Sequence, residues 1–272
     1  MKCRWVVCIF VVVLGIVWFY DAPRWTSLAS RILHDPSVLM NVTSNKSESI
    51  GASRALAAAA RVKPILSNEL ATKGLHWGDA VFLRAFKEEG ALELFVQDRV
   101  SKRFVLFRTY QIAKQSGELG PKQREGDGQV PEGFYYAGRA SMKPDSTYHL
   151  AINCGYPNAY DRAHERTGSF IMIHGNTVSI GCLAMTDEKI EEIYSLCDAA
   201  LLGGQDFFRI HLFPFRMTET RLAEATGHPW LEFWNNLKQG YDHFETYGIP
   251  PEVEEKNLRY EFLLDDTPKD SP

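Results

Sequence analysis

A histidine and a cysteine stand eight positions apart in the segment Ile171-Met172-Ile173-His174-Gly175-Asn176-Thr177-Val178-Ser179-Ile180-Gly181-Cys182. The apolar run before His174 reads as a strand that delivers the imidazole to its end, and the glycine-bounded stretch after it reads as a tight loop that returns a thiol to the same place. Only the thiolate form of cysteine attacks well, and a neighbouring imidazole can take the proton and form an ion pair with it. Gly181, just before the cysteine, lets the backbone bend so that main-chain N–H groups face a developing oxyanion. Gly175 gives the same freedom after the histidine. Ser179 could hydrogen-bond within the loop, and a main-chain carbonyl is enough to fix the imidazole tautomer. The chemistry predicted is nucleophilic attack by Cys182, with His174 taking the thiol proton.

Two other readings compete. An ordinary strand and loop can also carry a buried cysteine and a satisfied histidine. A zinc site could draw on His149, His164, His174 and Cys182, but the paired Cys-x₂-Cys or His-Glu-x-x-His spacings are missing. No metal and no cofactor is therefore assigned. Of the five cysteines, Cys3 and Cys8 lie in the N-terminal apolar region, which leaves Cys154, Cys182 and Cys197. An odd number leaves at least one thiol unpaired if bonds are intramolecular. Cys182 is the best candidate for that thiol; Cys154 and Cys197 either bridge or are two buried free thiols.

The elements that would position this pair belong to a chain of 272 residues with 45% hydrophobic, 12% aromatic and 24% charged residues. That composition supports a sizeable core and excludes wholesale disorder. A net charge of −4 leaves no basic excess to hold a phosphate backbone, so nucleic acid is not a predicted partner. Mean hydropathy of −0.23 excludes a polytopic membrane protein but not a single anchor. Lys2 and Arg4 precede an apolar run from Trp5 to Tyr20, a basic flank and hydrophobic region typical of an export signal. Trp5, Trp18, Phe19 and Tyr20 lie at its edges, as interfacial aromatics do. With no small-x-small cleavage site after it, residues 1–22 read as an uncleaved signal-anchor, with a cleaved signal peptide as the alternative. Lys2 and Arg4 would stay cytoplasmic and place the rest beyond the inner membrane.

Residues 23–73 read as a tether with short helices. Residues 41–53 are rich in Asn, Ser and Thr, 54–61 look helical, Pro64 interrupts, and Ser67 could cap a short helix through Lys73. Strands are predicted at 80–86, 92–96, 104–112, 134–136, 148–153, 169–174 and 207–213. Residues 116–133, rich in glycine and charge, form a long loop of the sort that carries function. Helices are predicted at 187–202, with Thr186 as N-cap, and at 218–225 and 230–239.

His174-Gly175 followed by Ser179-Ile180-Gly181-Cys182 resembles the signature of the L,D-transpeptidase catalytic domain, the YkuD-type family. Further stretches resemble its YafK-like murein branch: Ser116 to Lys122, Glu125 to Tyr135, Tyr148-His149-Leu150, Gly155 to Asp161, Arg166-Thr167-Gly168, Met185, and Phe213-Pro214-Phe215-Arg216. The resemblance spans about residues 75–220. It implies a mainly β fold with α (α+β): an L,D-transpeptidase-type β-sandwich at 74–220 with flanking C-terminal helices, preceded by a single N-terminal membrane segment. Residues 221–272 would be a helical and strand extension packed on the domain. By carry-over Cys182 matches the nucleophile, His174 the proton carrier, Gly181 and Cys182 the oxyanion-hole backbone, and Ser179 the loop residue beside the site. His149, Tyr156 and Arg166 match strands lining the cleft, where Arg166 could hold a substrate carboxylate.

The implied substrate is a peptidoglycan stem peptide containing diaminopimelate, in the periplasm, for wall biogenesis or remodelling. The thioester on Cys182 would be resolved by an amine, giving cross-linking or protein attachment, or by water, giving cleavage. The branch also resembles an amide hydrolase that detaches a murein-linked lipoprotein. Ala184 departs from the family pattern, which often has arginine two residues after the cysteine. Two rivals remain: an NlpC/P60-type peptidase, which would place cysteine before histidine in the chain, and a silent peptidoglycan-binding module.

Overall fold

The computed structural model describes the backbone of residues 37–263 and the side chains from residue 50 onward. The predicted signal-anchor at residues 1–22 lies outside the described residues. Among the described residues no helix is long and apolar enough to cross a membrane. Two units are distinguished, Met1–Ile50 and Gly51–Pro272. All the described strands belong to the second, and the first described helix runs through the junction.

That helix, α1, spans Ser37–Thr72 and contains Pro64. From Ser37 on, the stretch predicted as a tether is helical, and the predicted break at Pro64 is helical too; residues 23–36 lie outside the described residues. A proline inside a helix costs about 3 kcal/mol. Burying a leucine offsets about 1.5–3 kcal/mol, and Leu66 and Leu70, which follow Pro64, are both buried in the main core with Ala58. Tertiary burial outweighs the local break.

The chain then lays down β1 (Val81–Phe86), β2 (Ala91–Gln97) and β3 (Phe104–Gln111), all antiparallel neighbours. After the long loop come β4 (Gly133–Gly138), β5 (Met142–Lys143), β6 (Ala151–Asn153), the short α2 (Ala159–Ala163), β7 (Met172–His174) and β8 (Leu183–Ala184). The C-terminal part contains α3 (Asp187–Leu202), β9 (Phe207–Phe213), α4 (Glu219–Glu224), α5 (Leu231–Tyr247) and the hairpin β10 (Glu252–Lys256) and β11 (Arg259–Leu263). The fold is mixed α+β. One sheet has the order β3-β2-β1-β9-β4, the other β5-β6-β7-β8, and β10-β11 stands alone.

Alternation along β1 shows why this sheet is covered on both faces. Val81, Leu83 and Ala85 enter the main core, which also takes Ile152, Ile173 and Leu183 from the second sheet and Ile190 and Ile193 from α3. Phe82 and Phe86 point the other way, towards Phe244 and Tyr241 of α5. Arg84 shares that second face. It is held by Glu93 at 2.8 Å and Glu245 at 2.5 Å and lies over the rings of Phe95, Tyr241 and Phe244. Thr186 takes the predicted N-cap position of α3, with φ of 83° but no side-chain cap bond. Its N–H donates instead to the Asn176 carbonyl at 3.1 Å.

Candidate active site

The second sheet builds the site. β6 pairs antiparallel with β7, and β7 pairs parallel with β8, with Ile173 opposite Leu183 and His174 opposite Ala184. Cys182 precedes Ala184 by two residues, so the period-two alternation of strands, carried one residue beyond β8, sets Cys182 and His174 on one face of neighbouring strands. Ala184, where the family pattern often has arginine, is fully buried across from His174. The Met172 N–H reaches the Cys182 Sγ at 3.4 Å, and the Sγ lies 3.7 Å from the Phe170 carbonyl.

The ring of His174 is buried, with Nδ1 2.6 Å from the Gly175 carbonyl. A carbonyl only accepts, so Nδ1 carries the hydrogen in this arrangement and Nε2 is the basic nitrogen. The Tyr148 ring lies 4.9 Å from the imidazole, centroid to centroid. The loop after His174 is pinned to the start of α3, where Asn176 N–H donates to Asp187 Oδ1 at 2.7 Å. Gly175 has no room for a side chain: a Cβ there would stand 2.6 Å from Asp187 Oδ1 and 2.8 Å from the Tyr148 carbonyl.

Two hydroxyls hold the nucleophile loop. Ser179 Oγ accepts from Cys182 N–H at 3.0 Å and donates to the Cys182 carbonyl at 2.6 Å. Ser116 Oγ, from the long loop, accepts from Gly181 N–H at 2.7 Å. Both N–H groups expected to receive an oxyanion are thus engaged with serine oxygens.

Burial sets the protonation states. It pushes the Cys182 thiol above its ordinary value, against the Met172 N–H and the Lys122 charge, which pull it down. It also lowers the His174 imidazole below its ordinary value, partly countered by the Gly175 carbonyl. Both shifts disfavour charge in a poorly solvated place. Both directions favour a neutral thiol beside a neutral imidazole at rest over the ion pair that the sequence suggested. Alkylation of Cys182 by iodoacetamide, followed against pH by peptide mass, should rise without a plateau past the ordinary thiol pKa. A plateau through neutral pH would show an ion pair and contradict this picture. Cys154 and Cys197 are buried free thiols, raised further by desolvation, so they should stay unreactive.

The remaining predicted residues sit further out. His149 packs beside the loop, since a Cβ on Gly175 would lie 2.9 Å from its Cβ, but its Nε2 is turned to Glu191 Oε1 at 2.8 Å. Tyr156 is buried and donates to the Thr167 carbonyl at 3.2 Å, with Lys122 Nζ 5.9 Å from its ring centroid. Arg166, predicted to hold a substrate carboxylate, is turned into the protein. It is buried, paired with Asp161 at 2.9 Å, and packed against the rings of Tyr160 and Phe233. Its expected carboxylate partner is supplied by the fold itself. Among the described residues no group of three or more His, Cys, Asp or Glu side chains could hold a metal ion.

Sequence reasoning missed Ser116, Lys122, Tyr148 and Phe170 as site residues. Lys122 is buried on Asp127 at 2.6 Å. Burial would raise the Asp127 carboxyl, but N–H donors from Arg124, Gln123 and Gln129 and the Lys122 ammonium bring it down to about 2. Ser116 and Lys122 both lie in the glycine-rich loop already singled out by its length, which was the available signal.

The L,D-transpeptidase catalytic domain (YkuD) family model matches residues 96–220. Over 183 residues the chain is 47% identical to the Escherichia coli K12 protein described as "Putative L,D-transpeptidase YafK", covering 67% of this chain and 74% of that protein. The protein of the same description in Escherichia coli O157:H7 matches equally. Among solved structures, a variant of the helical cell shape determining protein Pgp2 from Campylobacter jejuni is 18% identical with a TM-score of 0.42, over 64% of this chain; the match spans 60% of that chain's length. Bdellovibrio bacteriovorus Bd1075 is 20% identical with a TM-score of 0.36, over 68% of this chain and 83% of that one.

Proposed function

This chain belongs to the L,D-transpeptidase catalytic-domain (YkuD) family, and from that premise we propose that it is a cysteine-dependent acyl transferase or amide hydrolase acting on diaminopimelate-containing peptidoglycan stem peptides. The observation that carries the reading is the pairing of β7 with β8, which sets His174 opposite Ala184, two residues after Cys182, with Nδ1 of the ring directed to the Gly175 carbonyl.

In the first step Sγ of Cys182 attacks the amide carbonyl attached to the L-configured centre of diaminopimelate. Nε2 of His174 takes the thiol proton as the C–S bond forms, which suits a pair that rests neutral. The same nitrogen then gives the proton to the leaving amine as the C–N bond breaks, and a thioester remains. The carbonyl oxygen carries negative charge in between. The Gly181 and Cys182 N–H groups are the donors proposed for it, and an oxyanion would share them with the Ser116 and Ser179 hydroxyls. An amine or water then attacks the thioester, with His174 acting as base. An amine gives transpeptidation or protein attachment, and water gives release, including release of a murein-linked lipoprotein.

A peptidoglycan substrate would put the reaction in the periplasm, and residues 1–22 would then serve as export signal or inner-membrane anchor. The test is incubation of purified sacculi with the protein and mass analysis of the soluble and bound products. New cross-links identify a transferase, and freed stem peptides or lipoprotein identify a hydrolase. Sacculi left unchanged by folded protein would refute both.

A further inference from the structure

We propose that Ser116 is a positioning residue of the nucleophile loop: its hydroxyl fixes the Gly181 peptide, and through it Cys182, from a segment 65 residues earlier in the chain. This rests on the acyl-transfer reading of Cys182.

The hydrogen bonding is directional. Ser116 has one hydroxyl proton, and that proton goes to the Gly128 carbonyl at 2.7 Å. The oxygen's lone pairs are left to accept, and one of them takes Gly181 N–H at 2.7 Å. Rotating the hydroxyl to any other partner would break the bond to Gly128. The donor chain therefore runs one way, from Gly181 through Ser116 to Gly128.

Gly181 needs such a hold. Its φ is +83°, a region glycine enters without strain, and a residue with that freedom does not fix its own peptide plane. Gly181 is also pressed against the long loop, since a Cβ there would lie 3.3 Å from the Gln129 carbonyl. Ser179 fixes Cys182 from inside the nucleophile loop. Ser116 supplies the corresponding hold from outside it.

The anchor is itself firmly tied. Gln129 Oε1 accepts from Glu118 N–H at 2.9 Å, bracing the two limbs of the loop next to Ser116. Asp127 accepts from the N–H groups of Gln123 at 2.8 Å, Arg124 at 3.0 Å and Gln129 at 3.1 Å, and from the Lys122 ammonium. A serine standing on so well-bonded a loop can transmit its position to the neighbouring glycine.

Without Ser116 the Gly181 N–H loses its acceptor and the peptide plane can turn, so Sγ meets the carbonyl from a wider range of directions. Misplacement of this kind acts on the chemical step, and losses of about 10²-fold are known from displacements near 1 Å. The residue does not touch the reacting atoms, so substrate binding should not change.

The experiment compares wild type, Ser116→Ala and Ser116→Thr for product release from sacculi, and separately for the rate of carbapenem adduct formation on intact protein. Ser116→Ala should lower kcat and the acylation rate by about 10- to 100-fold with KM within about twofold, and Ser116→Thr should restore most of the loss. The pH profile of Cys182 alkylation should not move, because the thiol keeps its burial. Should Ser116→Ala not fold by circular dichroism, Ser116→Cys keeps the volume, is a poor acceptor, and should lose kcat in the same way.

Unchanged kcat, a loss confined to KM, a threonine no better than alanine, or a gain in rate on truncation would each overturn the proposal. If wild type itself gains no carbapenem adduct and leaves sacculi intact, the acyl-transfer reading has failed instead. The two failures are thus distinguishable.

Discussion

Cys182→Ala should fold normally and lose its activity on sacculi by about 10⁴–10⁶-fold, the scale on which removal of a single essential nucleophile acts. The side chain is only partly buried and its Sγ makes two weak contacts, to the Met172 N–H and the Phe170 carbonyl. Truncation therefore removes little packing, and the melting temperature should stay within a few degrees of wild type. The loop geometry should persist, because the bonds from Ser179 and Ser116 go to backbone atoms that alanine retains. Intact-protein mass after carbapenem treatment gives a second reading: wild type should gain one adduct and Cys182→Ala none. Cys154 and Cys197 are both buried and should contribute no adduct. A variant that still releases product from sacculi would remove Cys182 from the chemistry altogether.

The largest effect on stability is expected from Asp161→Ala. Asp161 is fully buried. It accepts from Arg166 at 2.9 Å, the Tyr135 hydroxyl at 2.9 Å and the Asn158 N–H at 3.1 Å. Burial raises its carboxyl above the ordinary value, opposing Arg166 and Asn158, which pull it down. The ion pair is thus held at a substantial desolvation penalty. Removing one partner leaves the Arg166 charge buried and unpaired, which costs about 3–5 kcal/mol, a large share of the roughly 5–15 kcal/mol that a domain has in total. Urea unfolding should show a large fall in midpoint, or no folded protein. Replacing both members, as Asp161→Leu with Arg166→Met, should cost less than Asp161→Ala alone. Equal losses from the two would mean that the hydrogen bonds of Tyr135 and Asn158, rather than the unpaired charge, dominate.

Local pattern was informative where an element is long and its period clear. The apolar run Val81–Phe86, the alternation in Ala91–Gln97 and the amphipathic run Asp187–Leu202 are visible in the residues themselves. It failed where tertiary contacts decide. Pro64 reads as a break, yet α1 continues because Leu66 and Leu70 are buried beyond it. The two-residue strand Leu183–Ala184 has no period to detect and exists through its pairing with β7. In the candidate site, the strand that ends at His174 and the loop that returns at Cys182 were legible from their spacing and the glycines around them. Ser116 was not, because its bond to Gly181 joins segments far apart in the chain. Arg166 carried a plausible charge for a ligand, but the sequence does not show that Asp161, five residues earlier, consumes it inside the protein.

The position of β9 dictates when the polypeptide can finish folding. β1 joins β9 in parallel and β9 joins β4 antiparallel, so the last-made strand of the five fills the gap between β1 and β4. Until residues Phe207–Phe213 arrive, the meander β3-β2-β1 and the strand β4 each present an open edge of unpaired peptide groups, the kind of edge that templates aggregation. Closing a gap of more than a hundred residues is slow in entropic terms. A polypeptide made in order from its N-terminus would remain unclosed through most of its synthesis, and a nonsense codon between β4 and Phe207 should yield insoluble fragments rather than a smaller working domain.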